Sequence, residues 1–201
     1  MSTEQAPDVW EERLSAEELE RLVRRASNSV GRVCHSPGGL VMIVIRCETG
    51  DDVEIEAESL VGADISGRNL HRALLEGEVL TKANLSGTEL RSAWLERANF
   101  EGATLKGASL TGTNASLANF ARTDLRETVM RAGIFRNADF SEADLRGAKV
   151  EGADFREASF SGADLQCEGL ERANLRGARA NAATRWPGGF KPEDHGVEVM
   201  R

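Results

Sequence analysis

The 201-residue sequence predicts an all-β solenoid that makes up most of the chain. The main observation is that every fifth residue from position 60 to position 175 is apolar, without a break in the frame. A second observation is that small residues recur two positions before these large ones. A period of five matches neither a helix nor a strand, so either element would scatter the apolar residues over all its faces. A chain that turns a corner every five residues gathers them in one core, which it buries by stacking its coils.

The two inward registers differ in size. The large register has 24 positions, of which 14 are Leu and 6 are Phe. Its other members are Ile65, Ala115, Met130 and Val150. The small register, from position 63 to position 178, has 16 Ala, 4 Thr and one Gly, Gly133, among its 24 positions. Asp or Asn often stands between the two, as in Ala83-Asn84-Leu85, and Gly recurs two residues after the large one, which is typical of turns.

These A(D/N)LxG-type repeats resemble the pentapeptide-repeat family over about residues 58–180. The resemblance implies a right-handed quadrilateral β-helix, in which the large residue and the preceding small residue point inward and the other three point outward. Four faces of five residues make a coil of twenty. The repeats therefore predict about six coils and, at roughly 4.8 Å per layer, a rod about 29 Å long.

The twenty-residue spacing also predicts which core residues stack. One inner face carries Phe100, Phe120, Phe140 and Phe160, and an adjacent face carries Phe135 and Phe155. Stacked inward Phe side chains are how such a rod fills its core, so we interpret this ladder as structural and expect no cofactor. Each buried large side chain contributes roughly 1.5–3 kcal/mol before its entropy cost.

Both ends of a solenoid expose free backbone edges that need covering. Residues 1–52 are predicted to cap the first coil with an amphipathic α-helix over residues 8–27, or two short helices, and with a β-hairpin. The hairpin joins a strand over residues 40–45 to a second strand over residues 53–57. Residues 53–180 form the predicted β-helix. The tail, residues 181–201, is predicted to cover the last coil with the aromatic side chains of Trp186 and Phe190.

The charge pattern argues against several kinds of partner. Of the net charge of −8, residues 1–57 carry 12 acids against 6 bases, while residues 58–180 carry 18 against 16. No clustered basic surface is predicted, so direct binding to nucleic acid is not expected. The longest apolar run is too short to span a bilayer, and the acidic N-terminus is unlike a signal peptide, so we expect a cytoplasmic protein without a membrane span.

The sequence offers no arrangement of residues that indicates catalysis. His35, His71 and His195 are scattered, and no nucleophile, phosphate-binding or metalloprotease motif occurs in a suitable context. Cys34, His35 and Cys47 lack an apparent fourth metal ligand, so buried or incidental Cys is the better interpretation. We therefore expect a protein that is not an enzyme and that has no metal and no cofactor.

Two functional classes remain. The first is a protein-binding or scaffold protein that presents regular faces to a protein partner. The second follows from the family resemblance, because characterised members resemble DNA in size and charge and protect DNA gyrase or another type II topoisomerase from inhibitors. Duplex DNA carries about one charge per 1.7 Å, whereas the repeats are nearly neutral, so generic protein binding is favoured. A purely structural role is a third possibility, and the sequence leaves open whether the protein is a monomer or a dimer.

The candidate interaction surface lies at the outward position before each large core residue, which the family usually gives to Asp or Asn. Five positions break this rule with a large apolar residue: Leu74, Val79, Trp94, Val129 and Ile134. Three of them, Leu74, Trp94 and Ile134, share one face. Grouped exposed apolar residues mark interaction sites, and Trp often carries binding energy there. The alternative is that the N-terminal helix covers Leu74 and Trp94.

Overall fold

The computed structural model describes residues 30–34 and 41–200. Three strands form an antiparallel sheet ahead of the repeats: β1 (Val30–Cys34), β2 (Val41–Ile45) and β3 (Val53–Glu56), in the order β1-β2-β3. The β2–β3 pair is the predicted hairpin, and it crosses the boundary that the sequence predicts at residue 52. β1 was not predicted, because Gly31 and Arg32 interrupt the apolar alternation that indicates a strand.

The repeats form a β-helix solenoid whose layers are twenty residues apart. Parallel bridges join each outward strand residue to its counterpart one coil later, from Asp64 with Asn84 onward. The backbone bonds alternate in direction: the amide of Ile65 donates to Asn84 at 2.8 Å, and the amide of Asn84 donates to Ala63 at 2.9 Å. A coil of twenty residues with a corner every five has four faces. The predicted count of about six coils is not confirmed.

The core of the solenoid is made by the two inward registers. Every large-register residue from 60 to 175 is buried. The rings of Phe100, Phe120, Phe140 and Phe160 stack with successive centroid distances of 5.1, 5.0 and 5.3 Å. Phe155 stacks on Phe135 at 5.3 Å and packs edge-on against the first column.

Buried Thr residues in the small register keep their hydroxyl groups bonded. Thr113 Oγ1 donates to the carbonyl of Leu90 at 2.9 Å, and Thr123 Oγ1 donates to that of Phe100 at 2.8 Å. These bonds join a Thr to a large residue 23 positions earlier, in the preceding coil. A buried hydroxyl with a partner avoids the cost of an unpaired polar group, so Thr substitutes for Ala there.

The hairpin continues the solenoid sheet at its N-terminal edge. Cys47 pairs antiparallel with Ala73, and the amide of Leu74 donates to the carbonyl of Arg46 at 2.8 Å. An ion pair of 2.6 Å between Arg72 and Glu48 supports the junction. The edge of the first coil at Arg72–Leu74 is thereby paired. The predicted helix over residues 8–27, which was expected to cover the core end, lies outside the described residues.

The C-terminal end departs from the regular ladder although the sequence frame is unbroken. Lys149 pairs with Glu168, nineteen residues later, and Asp164 pairs with Arg185, twenty-one residues later. Between these irregular layers lies a 3₁₀ turn, Leu170–Arg172. It follows Gly169, which has φ 79° and lies against the backbone of Glu151, where a side chain would collide.

The tail adds a parallel strand to the end of the solenoid. β4 (Arg179–Asn181) pairs in parallel with β5 (Glu198–Met200), and a second 3₁₀ turn, Pro192–His195, precedes β5. Trp186 and Phe190 are half-buried and pack against the core, with ring centroids 5.4 Å apart. The described residues contain no α-helix.

Candidate protein-interaction surface

We call one side of the solenoid the Trp94 face. It is the side whose first outward row, the position before each large core residue, is Leu74, Trp94, Asn114, Ile134 and Asp154. Parallel bridges join each of these residues to the next, so they lie directly above one another in successive layers. The structure therefore brings the three predicted site residues, Leu74, Trp94 and Ile134, onto one face.

Ile134 is the most exposed apolar residue of the row. Leu74 and Trp94 are half-buried, whereas Ile134 is exposed at 37%. Asn114 lies between Trp94 and Ile134. Its side-chain Oδ1 accepts a hydrogen bond of 2.8 Å from the hydroxyl of Ser116. The apolar row is thus interrupted by a residue whose polar group is already bonded within its own repeat.

Leu117 belongs to the same surface and was missed by the sequence argument. It lies three residues after Asn114 at a corner of the Trp94 face and is exposed at 47%. Its φ of 62° places it in the left-handed region, which is unfavourable for a bulky L-residue. The sequence does carry a signal for it, because Leu117 stands at a corner position where Gly recurs.

The other two departures from the Asp/Asn rule lie on different faces. Val79 is exposed at 47%, and Val129 is half-buried. Val79 lies near Val61, which is also exposed. These two residues lie in the first layers of a face whose later layers carry polar residues, so the apolar surface does not extend along the rod.

On the face opposite the Trp94 face, carboxylates and guanidinium groups form a ladder. Arg126 contacts both Asp124 at 2.6 Å and Asp144 at 3.7 Å, and Arg146 contacts Asp144 at 2.6 Å. Hydrogen bonds from these Arg side chains lower the pKa of Asp124 and of Asp144. Asp124 and Asp144 are therefore neutralised by neighbouring bases.

Cys47 is buried and Cys167 is half-buried. Cys47 faces inward below Ala73, and burial, together with Asp52 and Asp51, raises its pKa to about 11. Burial likewise raises the pKa of Cys167 to about 12. A thiol that stays protonated is a weak nucleophile and a poor metal ligand. Within residues 30–34 and 41–200, no group of three or more His, Cys, Asp and Glu side chains is arranged to hold a metal ion.

His71 and His195 lie apart. His71 Nδ1 is 2.9 Å from the carbonyl oxygen of Arg91, whereas the ring of His195 stacks on Phe190 at 4.5 Å. Neither of these two contacts is with a nucleophile that the ring could activate. The part of the chain that the structure describes also has no helix long and apolar enough to cross a bilayer.

Comparison with known proteins identifies the family. A family model described as pentapeptide repeats matches eight copies over residues 59–96, 93–131 and 134–167. The chain belongs to the pentapeptide-repeat family. The resemblance read from the A(D/N)LxG-type repeats is thereby confirmed. A comparison with curated proteins gives no significant match.

Solved structures of pentapeptide-repeat proteins are similar to this chain. Rfr23 from the cyanobacterium Cyanothece 51142 is 31% identical over 46% of this chain, with a TM-score of 0.45. The match spans 63% of Rfr23, which is less than two thirds of its length. A trypsin-treated form of QnrB1, a plasmid-mediated fluoroquinolone resistance protein, is 19% identical over 71% of this chain and 79% of its own, with a TM-score of 0.59. At this identity the likeness shows the fold alone.

Proposed function

We propose that this pentapeptide-repeat protein is a non-enzymatic binding or scaffold protein that holds a protein partner on the Trp94 face. The observation that carries the proposal is the grouping of Trp94, Leu117 and Ile134 on one face of a rigid rod. Exposed apolar residues grouped on a surface are characteristic of interaction sites, and an aromatic residue near the centre supplies most of the contact energy. A cytoplasmic location and a protein rather than a nucleic-acid partner are part of this proposal.

The rigidity of the face supports binding to a folded partner. Each backbone segment of the Trp94 face is hydrogen-bonded to the layers before and after it, as in the bond of 2.7 Å from Leu95 to Asn114 and that of 2.9 Å from Trp94 to Ala73. A surface held in this way loses little conformational entropy on association.

The second candidate is modulation of a type II topoisomerase. It is favoured by the likeness to QnrB1, which is named a fluoroquinolone resistance protein. Mimicry of DNA would need dense uncompensated negative charge. On the described faces many carboxylates are paired; Asp144 contacts two Arg residues, as does Asp154. Protein binding of a different kind therefore ranks first.

Trp94→Ser tests the proposed function, with Val79→Ser as its matched control. Both residues stand before a large core residue, but Val79 lies on a different face. The tagged full-length chain is used to capture proteins from a lysate of the source organism. We expect Trp94→Ser to lose a partner that wild type and Val79→Ser both retain, with thermal melts showing that all three proteins are folded at the temperature of the capture.

The outcome against the proposal is equally definite. A Trp94→Ser variant that melts with wild type and captures every wild-type partner would show that this face is not the binding surface. For the second candidate, a supercoiling assay with purified gyrase and a fluoroquinolone suffices. If micromolar protein neither rescues gyrase from the fluoroquinolone nor inhibits it, that candidate is removed.

A further inference from the structure

The second outward row of the Trp94 face reverses its charge along the rod. This row, two residues after the first, is Glu76, Glu96, Ser116, Arg136, Arg156 and Arg176. Its members occupy successive layers, because the amide of Arg97 donates to Ser116 at 3.0 Å and that of Leu117 donates to Arg136 at 2.8 Å. The row is therefore acidic at one end, neutral at Ser116 and basic at the other end.

The first outward row has its centre in the same layer. Trp94 lies one layer before Asn114, and Ile134 lies one layer after it. If the row is laid against a reversed copy of itself with Asn114 at the centre, Trp94 meets Ile134 of the second copy. In the same arrangement Glu96 meets Arg136 of the second copy, so the central layers of both rows complement themselves about one point, whereas Leu74 at the end of the first row meets Asp154.

We propose that a second copy of this chain binds the Trp94 face, with the two rods antiparallel about a two-fold axis that passes through the layer of Asn114. This inference rests on the proposed function, since it names the occupant of the same face. An axis in the plane of the interface and perpendicular to the rod keeps each row opposite itself while reversing its direction. Such a two-fold interface presents the same patch from both copies, which is the commonest arrangement of homodimers.

Leu117 lies in the layer of the axis and so faces the vicinity of Leu117 of the second copy. The equivalent corners in the neighbouring layers are Arg97 and Asn137, and only this corner combines a large apolar side chain with the left-handed region. The fold sets this conformation at the corner of each of these layers, so it is the exposed apolar side chain of Leu117 that calls for a function. Burial against its own copy supplies that function.

The neighbouring face that carries Arg91 and Glu151 also changes sign along the rod. There Glu151 pairs with Arg131 and Arg172, just as Arg136 and Arg156 pair with Asp154 on the Trp94 face, so ion pairing does not distinguish the two faces. None of the exposed large apolar residues of the described chain lies on that face. The combination of an apolar row with a charge reversal about the same layer therefore points to the Trp94 face.

The dimer is expected to be weak. Five residues at roughly 3.3 Å each, over a rod about 29 Å long, give a face of about 480 Å², against about 800 Å² per partner in typical stable complexes. Association in the micromolar range follows, with a dissociation constant that rises with salt because charge pairs at the rim are screened.

Sedimentation equilibrium of the full-length chain tests the inference from about 1 µM to about 500 µM at low ionic strength. The mass should rise from that of the 21.8 kDa monomer to twice that value. Glu96→Arg or Arg136→Glu alone places like charges opposite each other at two symmetry-related points and should raise the dissociation constant about tenfold or more. The double variant restores opposite charges and should associate like wild type. An equimolar mixture of the single variants should form a heterodimer tighter than either homodimer.

Arg91→Glu is the matched control, because it makes the same charge change at the same repeat position on the neighbouring face. It should leave association unchanged, and melting temperatures should show that every variant is folded. A wild-type chain that remains a monomer throughout overturns the inference, and so does a dimer that Arg91→Glu weakens but Arg136→Glu does not. Either result leaves the lysate experiment with Trp94→Ser as the separate test of the broader function.

Discussion

Gly133→Ala tests the packing of the core. Gly133 stands in a register where 16 of 24 residues are Ala, and its φ is not in the left-handed region. On these grounds alone, Ala would be expected to stabilise the protein by about 0.4–1 kcal/mol through the unfolded chain. In the structure, however, a Cβ at this position would lie 2.5 Å from Cε2 and 2.9 Å from Cζ of Phe135.

The size of the destabilisation by Gly133→Ala follows from the space around the Phe135 ring. Carbon atoms in contact normally lie about 3.5–4.0 Å apart, so the Phe135 ring must retreat by about 1 Å. Phe135 is fully buried, and its ring centroid is 5.3 Å from that of Phe155, 5.8 Å from that of Phe140 and 6.1 Å from that of Phe120. Overpacking of this kind costs about 1–3 kcal/mol, so the net destabilisation should be about 1–2 kcal/mol.

Urea unfolding followed by circular dichroism measures the change in the free energy of unfolding. An unchanged m-value would show that the variant differs from wild type in stability and not in the surface that unfolding exposes. Phe135→Leu removes the ring and places the commonest large-register residue there. In the Phe135→Leu background, Gly133→Ala should cost nothing, which gives a coupling of about 1 kcal/mol or more in a double-mutant cycle. Ala153→Gly, at the same position one coil later, is the control and should destabilise by about 1 kcal/mol through lost burial and glycine entropy. A Gly133→Ala variant as stable as wild type, or additive effects in the cycle, would refute this account of the packing.

Three further predictions concern the same rod. Phe120→Ala opens a cavity between two stacked rings at 5.1 and 5.0 Å and should lower the free energy of unfolding by about 3–5 kcal/mol, whereas a loss below about 1 kcal/mol would contradict the ladder. Ala115→Leu, in a fully buried column whose other members are larger, should be tolerated or stabilising, and strong destabilisation by urea would show that the column is already full. Asp154 accepts hydrogen bonds from Arg156 and Arg136, which lower its pKa from 3.8 to about 2. Because the pKa is lower in the folded state than in the unfolded state, the ionised carboxylate stabilises the fold by about 2 kcal/mol above about pH 4, and this stabilisation should be lost as the pH falls through 2. Asp154→Asn should lack this contribution. Equal acid dependence of unfolding in both proteins would contradict the prediction.

The columns of the core could be predicted because their cause is local. Residues twenty apart share a face once each corner takes five residues, so the stack of Phe100 on Phe120 follows from spacing alone. The same arithmetic placed Leu74, Trp94 and Ile134 together, and the bridges between layers show them in one row.

Features that depend on contacts between coils were not predicted. The offset pairing of Lys149 with Glu168 leaves no mark on the spacing of the large residues, because Leu170 keeps its place in the core. The tilt of Phe135 towards Gly133 depends on how its ring packs against several neighbours at once.

The sequence by itself determined the solenoid, its twenty-residue layers and the residues that face its interior, since a period of five admits no other way to bury them. Only the tertiary structure decided how exposed each outward residue is, because that depends on neighbours one coil away and on what covers the ends. Trp94 is half-buried while Leu117, in a strained corner, stands out from the surface.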